Sequence, residues 1–425
     1  MAIIIGFYMF KTRRTSKKNV ALKKEMIKAG LTEPASLHPV IDPGLCLGCG
    51  ACVDACPEGD VLGLVAGRAE LINATHCIGH GACKVACPFD AITLVFGTEK
   101  RGVDIPTVQP NFETNVPGIF IAGELGGMGL IRNAVNQGMQ AIDNVCKLDG
   151  VGKNNKLPLD VVVVGAGPAG LAATLAAMEK KLKSLTIEQD TVGGTVAHYP
   201  RGKIVMTKPG KLPIIGAFKF RETTKEALVE FWADVQQKTG FQVNTNERVE
   251  KIEALTGKPG FRVTTSKNNY ETRAVVLAIG RRGTPRKAGC EGEDLSKVVY
   301  RLTDPEQYRG QHVLVIGGGD SALEAAHSTA EQPNTKVTLS YRSGSFSRAK
   351  PKNRDKVMQY AREGKLDLYL ESEVVKITDK MVALKTKEGN LEIENDAVVV
   401  CIGGDLPTPF LKAIGVEVQT KFGTE

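Results

Sequence analysis

Two runs of cysteine and histidine near the N-terminus have the residue types and the spacing to hold iron–sulfur clusters. The first run ends before Pro57 and contains Cys46, Cys49, Cys52 and Cys56. The second run ends before Pro88 and contains Cys77, His80, Cys83 and Cys87. In paired runs of this kind, three residues of one run hold one cluster and the fourth, before proline, ligates the other cluster. The spacing therefore predicts two [4Fe-4S] sites, one from Cys46, Cys49, Cys52 and Cys87 and one from Cys56, Cys77, His80 and Cys83.

A zinc site is the structural alternative for closely spaced cysteines, but two interlocked runs of four ligand positions fit it poorly. His80 stands at a position where cysteine is usual. Imidazole ligation would raise the reduction potential of the second cluster, as it does in Rieske centres. A three-iron cluster, a water ligand at that corner, or a surface histidine without a ligand role are the other interpretations. His76, next to Cys77, has no comparable position.

A first nucleotide site is predicted after the apolar run Val161–Val164, which is typical of a buried parallel strand. The run leads into a glycine loop and a helical pattern over Ala169–Lys180. The loop residues expected to bind the cofactor are Gly165, Gly167, Pro168, Ala169 and Gly170. Glycines let the turn and the helix N-terminus approach a pyrophosphate closely. Glu188 follows at the distance where an acid accepts a hydrogen bond from a ribose hydroxyl.

A second nucleotide site is predicted after Val313–Ile316, where the helical pattern covers Ser321–Thr329. Its expected cofactor-binding residues are Gly317, Gly319, Asp320, Ser321, Ala322, Arg342 and Arg348. The position that would carry the ribose acid is occupied by Ser340, and basic residues follow it. The missing acid and the guanidinium groups favour NADPH over NADH. The alternative is that these basic residues belong to a solvated loop.

Composition and charge narrow the classes of partner. A chain of 425 residues is expected to form about three domains. Aromatic residues make up 5% of the chain, with a single tryptophan, which argues against a nucleic-acid stacking surface. The net charge of +8 could steer a small acidic protein, although a generally solvated basic surface explains it equally well. Cysteines at ligand spacing imply reduced thiols and therefore a cytoplasmic location.

The first ten residues, Met1–Phe10, are nearly all apolar, and basic residues follow them. These are Lys11, Arg13, Arg14, Lys17 and Lys18. A helix of ten residues is about 15 Å long, half of the hydrocarbon thickness, so this stretch cannot span a bilayer. It could be a shortened anchor or an interfacial segment on the cytoplasmic face of a membrane. Residues 11–35 are expected to form a linker or a docking helix.

Two family resemblances cover almost all of the chain beyond residue 36. The cysteine runs resemble bacterial two-cluster ferredoxins. The stretch from Leu157 to Lys421 resembles flavoproteins of the thioredoxin-reductase type. Its matching segments are Gly193-Gly194-Thr195, Ala278-Ile279-Gly280, Gly317–Ala322 and Cys401–Gly404. The resemblance implies FAD at the first site, with Gly194, Thr195, Ala278 and Gly280 near it, and NAD(P)H at the second.

In that family a second flavin motif comes last in the chain, but here it lies early, at Thr114–Glu124. The resemblance implies that Gly123 and Glu124 contact the flavin and that the helical segment Leu130–Val145 points towards it. We therefore expect a circular permutation, in which residues 102–147 complete the flavin domain beside residues 400–421. This arrangement would place the ferredoxin module on the flavin domain.

The predicted fold class is α/β, with two Rossmann-like FAD and NAD(P) domains of the thioredoxin-reductase type and a small α+β ferredoxin-like domain for two [4Fe-4S] clusters. The expected divisions are residues 1–35 (apolar and basic segment), 36–99 (ferredoxin-like), 100–150 (permuted flavin segment), 157–283 (FAD), 284–399 (NAD(P)H) and 400–425 (return to the FAD domain).

Disulfide reductases of this type carry a Cys-x-x-Cys in the nicotinamide domain, where this chain has Tyr300–Pro305. The chain therefore resembles the ferredoxin–NADP reductases built on the same fold. The resemblance implies electron transfer between NADPH, FAD, the clusters and an external carrier of ferredoxin or flavodoxin type, in a homodimer, with no catalytic side-chain acid or base. A thioredoxin or disulfide reductase, and a non-catalytic electron-transfer or redox-sensing subunit, are the alternatives.

Overall fold

The computed structural model describes residues 2–28, 31–34, 37–77, 79–99, 102–126, 130–152, 155–199, 201, 204–206, 210–220, 222–281, 283–347 and 349–423. They form two compact units. One unit contains Met1–Val103, Arg286–Gly403 and Lys421–Glu425, and the other contains Asp104–Pro285 and Gly404–Thr420. The ferredoxin-like module therefore groups with the nicotinamide domain, whereas the permutation argument expects it on the flavin domain.

The N-terminal segment is a single helix, α1 (Ala2–Lys28), in which the apolar and the basic stretches are continuous. Its second half packs on the module that follows, where Asn19 Nδ2 donates to the Leu64 carbonyl at 2.9 Å and Lys23 pairs with Glu70 at 2.7 Å. Met26 is buried there. In the described part of the chain, no helix has both the length and the apolar character needed to cross a membrane.

The ferredoxin-like module consists of two antiparallel strand pairs and two short helices. Its elements are β1 (His38–Ile41), α2 (Ala51–Asp54), β2 (Leu62–Val65), β3 (Arg68–Leu71), α3 (Ala82–Ala86) and β4 (Ile92–Val95). Strand β1 pairs with β4, and β2 pairs with β3. Each helix starts after a glycine in the left-handed region, Gly50 with φ of 82° and Gly81 with φ of 77°. A side chain would be strained at these positions, so each cysteine run turns into its helix through a glycine.

The second unit (Asp104–Pro285 and Gly404–Thr420) is built on a six-stranded sheet. It contains the predicted FAD site and is called the flavin unit below. Its elements are β5 (Val103–Pro106), β6 (Ile119–Ile121), α4 (Ile131–Val145), β7 (Leu159–Val164), α5 (Pro168–Glu179), β8 (Ser184–Ile187), β9 (Ile204–Met206), β10 (Gly210–Leu212), β11 (Gly216–Phe218), β12 (Glu222–Thr224), α6 (Lys225–Thr239), β13 (Val249–Ala254), β14 (Phe261–Thr265), β15 (Asn269–Leu277) and β16 (Thr284–Pro285). Strand β15 pairs in parallel with both β6 and β7, and β8 extends the sheet beyond β7. Buried residues of β6, β7 and β15 form the core on both faces.

The early segment is therefore part of the same sheet as the first nucleotide fingerprint. Strand β6 aligns Ile119 with Val275 of β15, and helix α4 packs against α5. The approach of the two helices is close enough that a Cβ atom on Gly138 would overlap the Ala169 carbonyl oxygen. The predicted helix at Leu130–Val145 is confirmed, within one residue, by α4.

The nicotinamide domain has a five-stranded parallel sheet with the order β17-β24-β18-β19-β20, and a separate antiparallel sheet of β21, β22 and β23. The elements are β17 (Val298–Val299), β18 (His312–Ile316), α7 (Asp320–Ala330), β19 (Lys336–Tyr341), α8 (Pro351–Arg362), β20 (Asp367–Leu370), β21 (Glu373–Ile377), β22 (Met381–Thr386), β23 (Gly389–Glu394) and β24 (Ala397–Val400).

After this domain the chain returns to the flavin unit with β25 (Gly404–Asp405), α9 (Thr408–Ala413) and β26 (Val418–Lys421). Strand β25 pairs with β16, and β26 pairs with β5.

Candidate functional site

A cavity in the ferredoxin-like module brings together the four residues predicted to hold the first cluster. Its lining includes Cys46, Cys49, Cys52 and Cys87. Apolar side chains from β1, β3, β4 and the adjoining loops line the rest of the cavity. Cys87, which follows α3, thus lies with three residues of the other run. The backbone N–H of Ala69 donates to the Cys46 sulfur at 3.4 Å.

A second cavity brings together the other predicted set. Its lining includes Cys56, Cys77, His80 and Cys83. Cys56 follows α2, so the exchange of the fourth residue between the runs is reciprocal. The imidazole of His80 lines the cavity together with three cysteines, as a ligand would have to. That these eight residues bind iron stays a prediction.

Burial makes the cavity thiols poor acids in the protein alone. It raises the pKa of Cys52 and of Cys77 to about 11, and it raises the pKa of Cys83. Neighbouring cysteines add to each shift, since thiolates repel one another. A bound metal ion would favour the thiolate form of these cysteines.

Within the described ranges, no three His, Cys, Asp or Glu side chains are grouped closely enough to hold one metal ion. The four ligand positions of each predicted set line one cavity instead. The preference for iron–sulfur clusters over zinc rests on the spacing of the two runs.

The first nucleotide loop lies between β7 and α5, where close backbone contacts exclude side chains. A Cβ atom on Gly170 would overlap the carbonyl oxygen of Gly165, and one on Gly165 would lie 2.5 Å from the carbonyl oxygen of Ala278. A Cβ atom on Gly194, the residue before Thr195, would lie 2.8 Å from the Gly167 Cα. The loop is thus pressed against the end of β15 and against a facing glycine turn. No side chain caps the N-terminus of α5, which suits the predicted pyrophosphate site.

Glu188 lies directly after β8 and is only 8% exposed. One carboxylate oxygen accepts from the Ala166 N–H at 2.7 Å, and the other accepts from the Asp190 N–H at 3.0 Å. The predicted ribose acid is therefore fixed beside the glycine loop by two backbone donors. Its place in the fold suits the predicted role, and the contact with a ribose stays a prediction.

Residues 119–126 lie beside the first loop, in the same unit. The Gly123 N–H donates to Gln137 Oε1 at 2.8 Å, and a Cβ on Gly123 would lie 3.0 Å from the Ala169 Cβ. Glu124 is half-buried. Burial lowers the pKa of the nearby Arg281 guanidinium, and the charge of Glu124 opposes that shift. Sequence reasoning missed Arg281 and Gln137, since neither belongs to a motif.

The second nucleotide loop lies between β18 and α7. Gly317 has φ of 137° and packs on the Cys401 carbonyl, while a Cβ on Gly319 would point into open space. Ser321 and the fully buried Ala322 form the first turn of α7. A side chain is therefore excluded on the sheet side of the loop, and the other side is accessible to a ligand.

The predicted selectivity residues have different surroundings. Ser340 is buried at the end of β19 and its hydroxyl is 2.7 Å from the Ser372 hydroxyl, whereas Arg342 is exposed. Arg348 lies outside the described residues. Asp320, predicted to bind the nucleotide, accepts from the Lys350 N–H at 2.7 Å and from Asn353 Nδ2 at 2.9 Å. Its carboxylate thus contacts another loop of the protein, and sequence reasoning missed Asn353.

Two of the three cysteines outside the cavities, Cys146 and Cys290, have thiols that burial makes poorer acids. Cys146 is exposed, Cys290 and Cys401 are half-buried, and burial raises the pKa of Cys146 and Cys290. At the place of the family dithiol, the Tyr300 hydroxyl donates to Glu293 at 2.9 Å. Reactive cysteines need a lowered pKa.

Comparisons with known proteins agree with this architecture. Residues 162–423 match the family model described as pyridine nucleotide-disulphide oxidoreductase, and residues 38–88 match the 4Fe-4S dicluster domain. The ferredoxin–NADP reductase of Ignicoccus hospitalis is 31% identical over 269 residues, which are 62% of this chain and 83% of that protein. The bacilliredoxin reductase Bdr of Bacillus subtilis is 29% identical over 268 residues, or 62% of this chain and 82% of that protein.

A solved structure shows the same relationship. The bacillithiol disulfide reductase Bdr from Bacillus cereus aligns with a TM-score of 0.53 and 26% identity, covering 61% of this chain and 82% of that one. The chain therefore belongs to the pyridine nucleotide-disulphide oxidoreductase family, as an NAD(P)H-dependent flavoprotein oxidoreductase that also carries a 4Fe-4S dicluster domain.

Proposed function

We propose that this protein transfers electrons between NADPH and an external one-electron carrier of the ferredoxin or flavodoxin type. The observation that carries the proposal is the pair of cavities, each lined by four predicted ligand residues, in a chain that also has two nucleotide loops. Several relatives named ferredoxin–NADP reductase support it. When bound, FAD exchanges a hydride with nicotinamide and single electrons with iron–sulfur clusters.

The side chains hold and orient the cofactors in this proposal. Cys46, Cys49, Cys52 and Cys87 would hold one cluster, and Cys56, Cys77, His80 and Cys83 the other. The bare amides at the N-terminus of α5 would bind the pyrophosphate of FAD, and Glu188, held by two backbone N–H groups, would accept from its ribose. Gly123 and Glu124 would lie near the flavin. No side chain has to act as an acid or base.

NADPH is the proposed nicotinamide cofactor. Ser340 leaves the end of β19 without a carboxylate, and the exposed guanidinium of Arg342 follows two residues later. A 2′-phosphate would meet a cation there instead of an acid.

The direct test is the NADPH-dependent reduction of an added ferredoxin or flavodoxin. A Cys49→Ala variant should lose the first cluster and most carrier reduction, while NADPH should still bleach its flavin. Cys146→Ala, which removes a cysteine outside the cavities, is the matched control and should keep both activities. Full carrier reduction by the Cys49→Ala variant would contradict the proposed path.

A disulfide reductase is the second candidate, because the relatives include two proteins named for disulfide or bacilliredoxin reduction. It would have to use the isolated cysteines of the two Rossmann-like domains. A Cys290→Ala/Cys401→Ala double variant separates the candidates, because it should reduce the carrier normally in our account. The second candidate would be favoured if the unaltered protein reduces bacillithiol disulfide with NADPH and the double variant does not. A non-catalytic electron-transfer subunit, in contrast, would not oxidise NADPH at all.

The position of the second flavin motif leads us to propose a circular permutation. Parallel pairing of β6 with β15 supports it, since residues 119–121 and 275–277 form adjacent strands although more than a hundred residues separate them. A homodimer is proposed from the family resemblance. Sedimentation at several concentrations would test the dimer.

We also propose that the free end of α1 binds the cytoplasmic face of an anionic membrane. Phe7 and Phe10 are 70% and 64% exposed, and Met9 is exposed beside them. Five exposed basic residues follow within eight positions, and no acid precedes Glu25. Apolar side chains beside cations suit the interface of an anionic bilayer. Because the second half of α1 is docked on the ferredoxin-like module, binding would hold that module at the surface.

Vesicle sedimentation tests this attachment. Replacing Lys11, Arg13 and Arg14 by glutamine should weaken binding to phosphatidylglycerol vesicles by about 100-fold, at about 1 kcal/mol for each charge. The control removes three exposed lysines elsewhere, Lys238, Lys251 and Lys267, and should bind nearly as well as the unaltered protein. Equal binding to neutral and anionic vesicles would refute the electrostatic part of the proposal.

A further inference from the structure

The segment between β19 and α8, residues 342–350, carries the basic groups expected to recognise a 2′-phosphate. Arg342 and Lys350 are exposed at its two ends. A cation selects a phosphate well only if its backbone is held in place, because ordering a free loop costs conformational entropy. The contacts that hold this segment therefore bear on nucleotide selectivity.

An aromatic pair anchors the start of the segment. The rings of Tyr341 and Phe346 are stacked at 5.5 Å with an interplanar angle of 13°, and Phe346 is buried. The Tyr341 ring lies directly on Gly318, where a Cβ would overlap it. The beginning of the segment is thus packed against the glycine loop itself.

A polar contact anchors the end of the segment. Asp320 Oδ1 accepts from the Lys350 N–H at 2.7 Å and from Asn353 Nδ2 at 2.9 Å. The same Asn353 nitrogen lies 3.1 Å from Glu324 Oε1 and has two protons to donate. Asn353 is 8% exposed.

This amide separates two carboxylates that would otherwise repel each other. Asp320 and Glu324 stand four residues apart on α7, where like charges destabilise a helix. The neutral Asn353 donates to both. Without the Asn353 amide, Asp320 would lose one of its two donors and keep the Lys350 N–H. The carboxylates of Asp320 and Glu324 would then have no amide between them.

We propose that Asp320 and Asn353 are positioning residues that set the selectivity of this protein for NADPH over NADH. They fix the end of the basic segment to the first turn of the nucleotide helix α7, so that its cations face the 2′-phosphate. The inference rests on the proposed preference for NADPH.

The test measures binding without redox chemistry, in the full-length protein. Calorimetry gives the dissociation constants of 2′,5′-ADP and of 5′-AMP. The dissociation constant of 5′-AMP divided by that of 2′,5′-ADP is the selectivity ratio, and it reports recognition of the 2′-phosphate. Asn353→Ala should weaken 2′,5′-ADP binding by about tenfold and change 5′-AMP binding by less than about twofold. In steady state, the KM for NADPH should rise while kcat and the KM for NADH stay unchanged.

Asn395→Ala is the matched control in the same domain. Asn395 is 2% exposed, and its side chain donates to the His312 carbonyl at 3.2 Å and to the Ala397 carbonyl at 2.7 Å. The control should lower the melting temperature and leave the ratio unchanged. If Asn353→Ala does not fold, Asn353→Asp replaces it, because aspartate keeps the size of the side chain. It places a third acid beside Asp320 and Glu324 and should lower the selectivity ratio as well.

The outcomes separate the inference from the function on which it rests. Equal affinity of the unaltered protein for the two probes would refute the NADPH preference itself. A preference for 2′,5′-ADP that survives in the Asn353 variants would overturn the positioning role. An equal loss of both probes would overturn it too, because the contact would then support the whole site and not the 2′-phosphate.

Discussion

The exchange of the fourth ligand between the two cysteine runs gives the sharpest prediction. Cys83 and Cys87 are four residues apart in sequence, yet they line different cavities, whereas Cys49 and Cys87 line the same one. The reconstituted protein should contain about eight irons, four for each cluster. A Cys49→Ala/Cys87→Ala double variant damages one site twice and should retain about four irons. A Cys83→Ala/Cys87→Ala double variant damages both sites and should retain almost none.

Iron and sulfide analysis of anaerobically reconstituted protein, together with EPR of the reduced samples, measures this difference. Each single variant should retain about four irons, which provides the control for both doubles. A Cys146→Ala variant should retain all of them. If the Cys83/Cys87 double keeps one intact cluster while the Cys49/Cys87 double loses both, the ligands follow sequence order and the assignment from the cavities is wrong.

The remaining predictions concern other parts of the molecule. Gly138→Ala should destabilise the flavin unit by about 1–3 kcal/mol and release FAD, because the added Cβ would overlap the α5 backbone. Gln140→Ala, on the exposed face of the same helix, should do neither. Equal melting temperatures of the two variants would contradict this. His80→Cys should lower the potential of the second cluster in an EPR-monitored titration, and an unchanged potential would exclude ligation by His80. Arg342→Ala should raise the KM for NADPH by about tenfold and leave that for NADH unchanged; parallel changes would contradict 2′-phosphate recognition. Burial lowers the pKa of His327 in the folded protein, so below about pH 6.5 the unfolded chain binds a proton that the folded chain resists. Denaturant titrations should therefore show that the free energy of unfolding falls more between about pH 7 and pH 5 in the unaltered protein than in His327→Gln. Equal losses in the two proteins would refute this.

Residues that act through short, fixed spacing were predictable from the sequence. The exchange of Cys56 and Cys87 follows from a spacing rule, and the two cavities group the residues accordingly. The strand, glycine loop and helix of each nucleotide site were also predictable, since Gly165 and Gly317 need backbone conformations and close contacts that other residues resist. Strand β6 was expected beside the flavin fingerprint from its motif.

Contacts between distant loops could not be predicted from the sequence. Asp320 was assigned to the nucleotide by its place in a motif, but its carboxylate binds Lys350 and Asn353, some thirty residues away. Arg281 near Glu124 belongs to no motif. Local patterns give no information about such pairs, because the chain fold and not the spacing brings them together. The continuity of α1 was missed because its apolar and basic halves have different compositions.

The central claim is that electrons from NADPH reach the iron–sulfur clusters within one chain. Anaerobic titration of the reconstituted protein with NADPH, followed by visible absorbance and EPR, tests it most directly. Our account predicts bleaching of the flavin absorbance, followed by the EPR signals of reduced clusters. Flavin bleaching with clusters that stay oxidised, although dithionite reduces them, would contradict an internal path from NADPH to the clusters, and no bleaching at all would contradict the reductase itself.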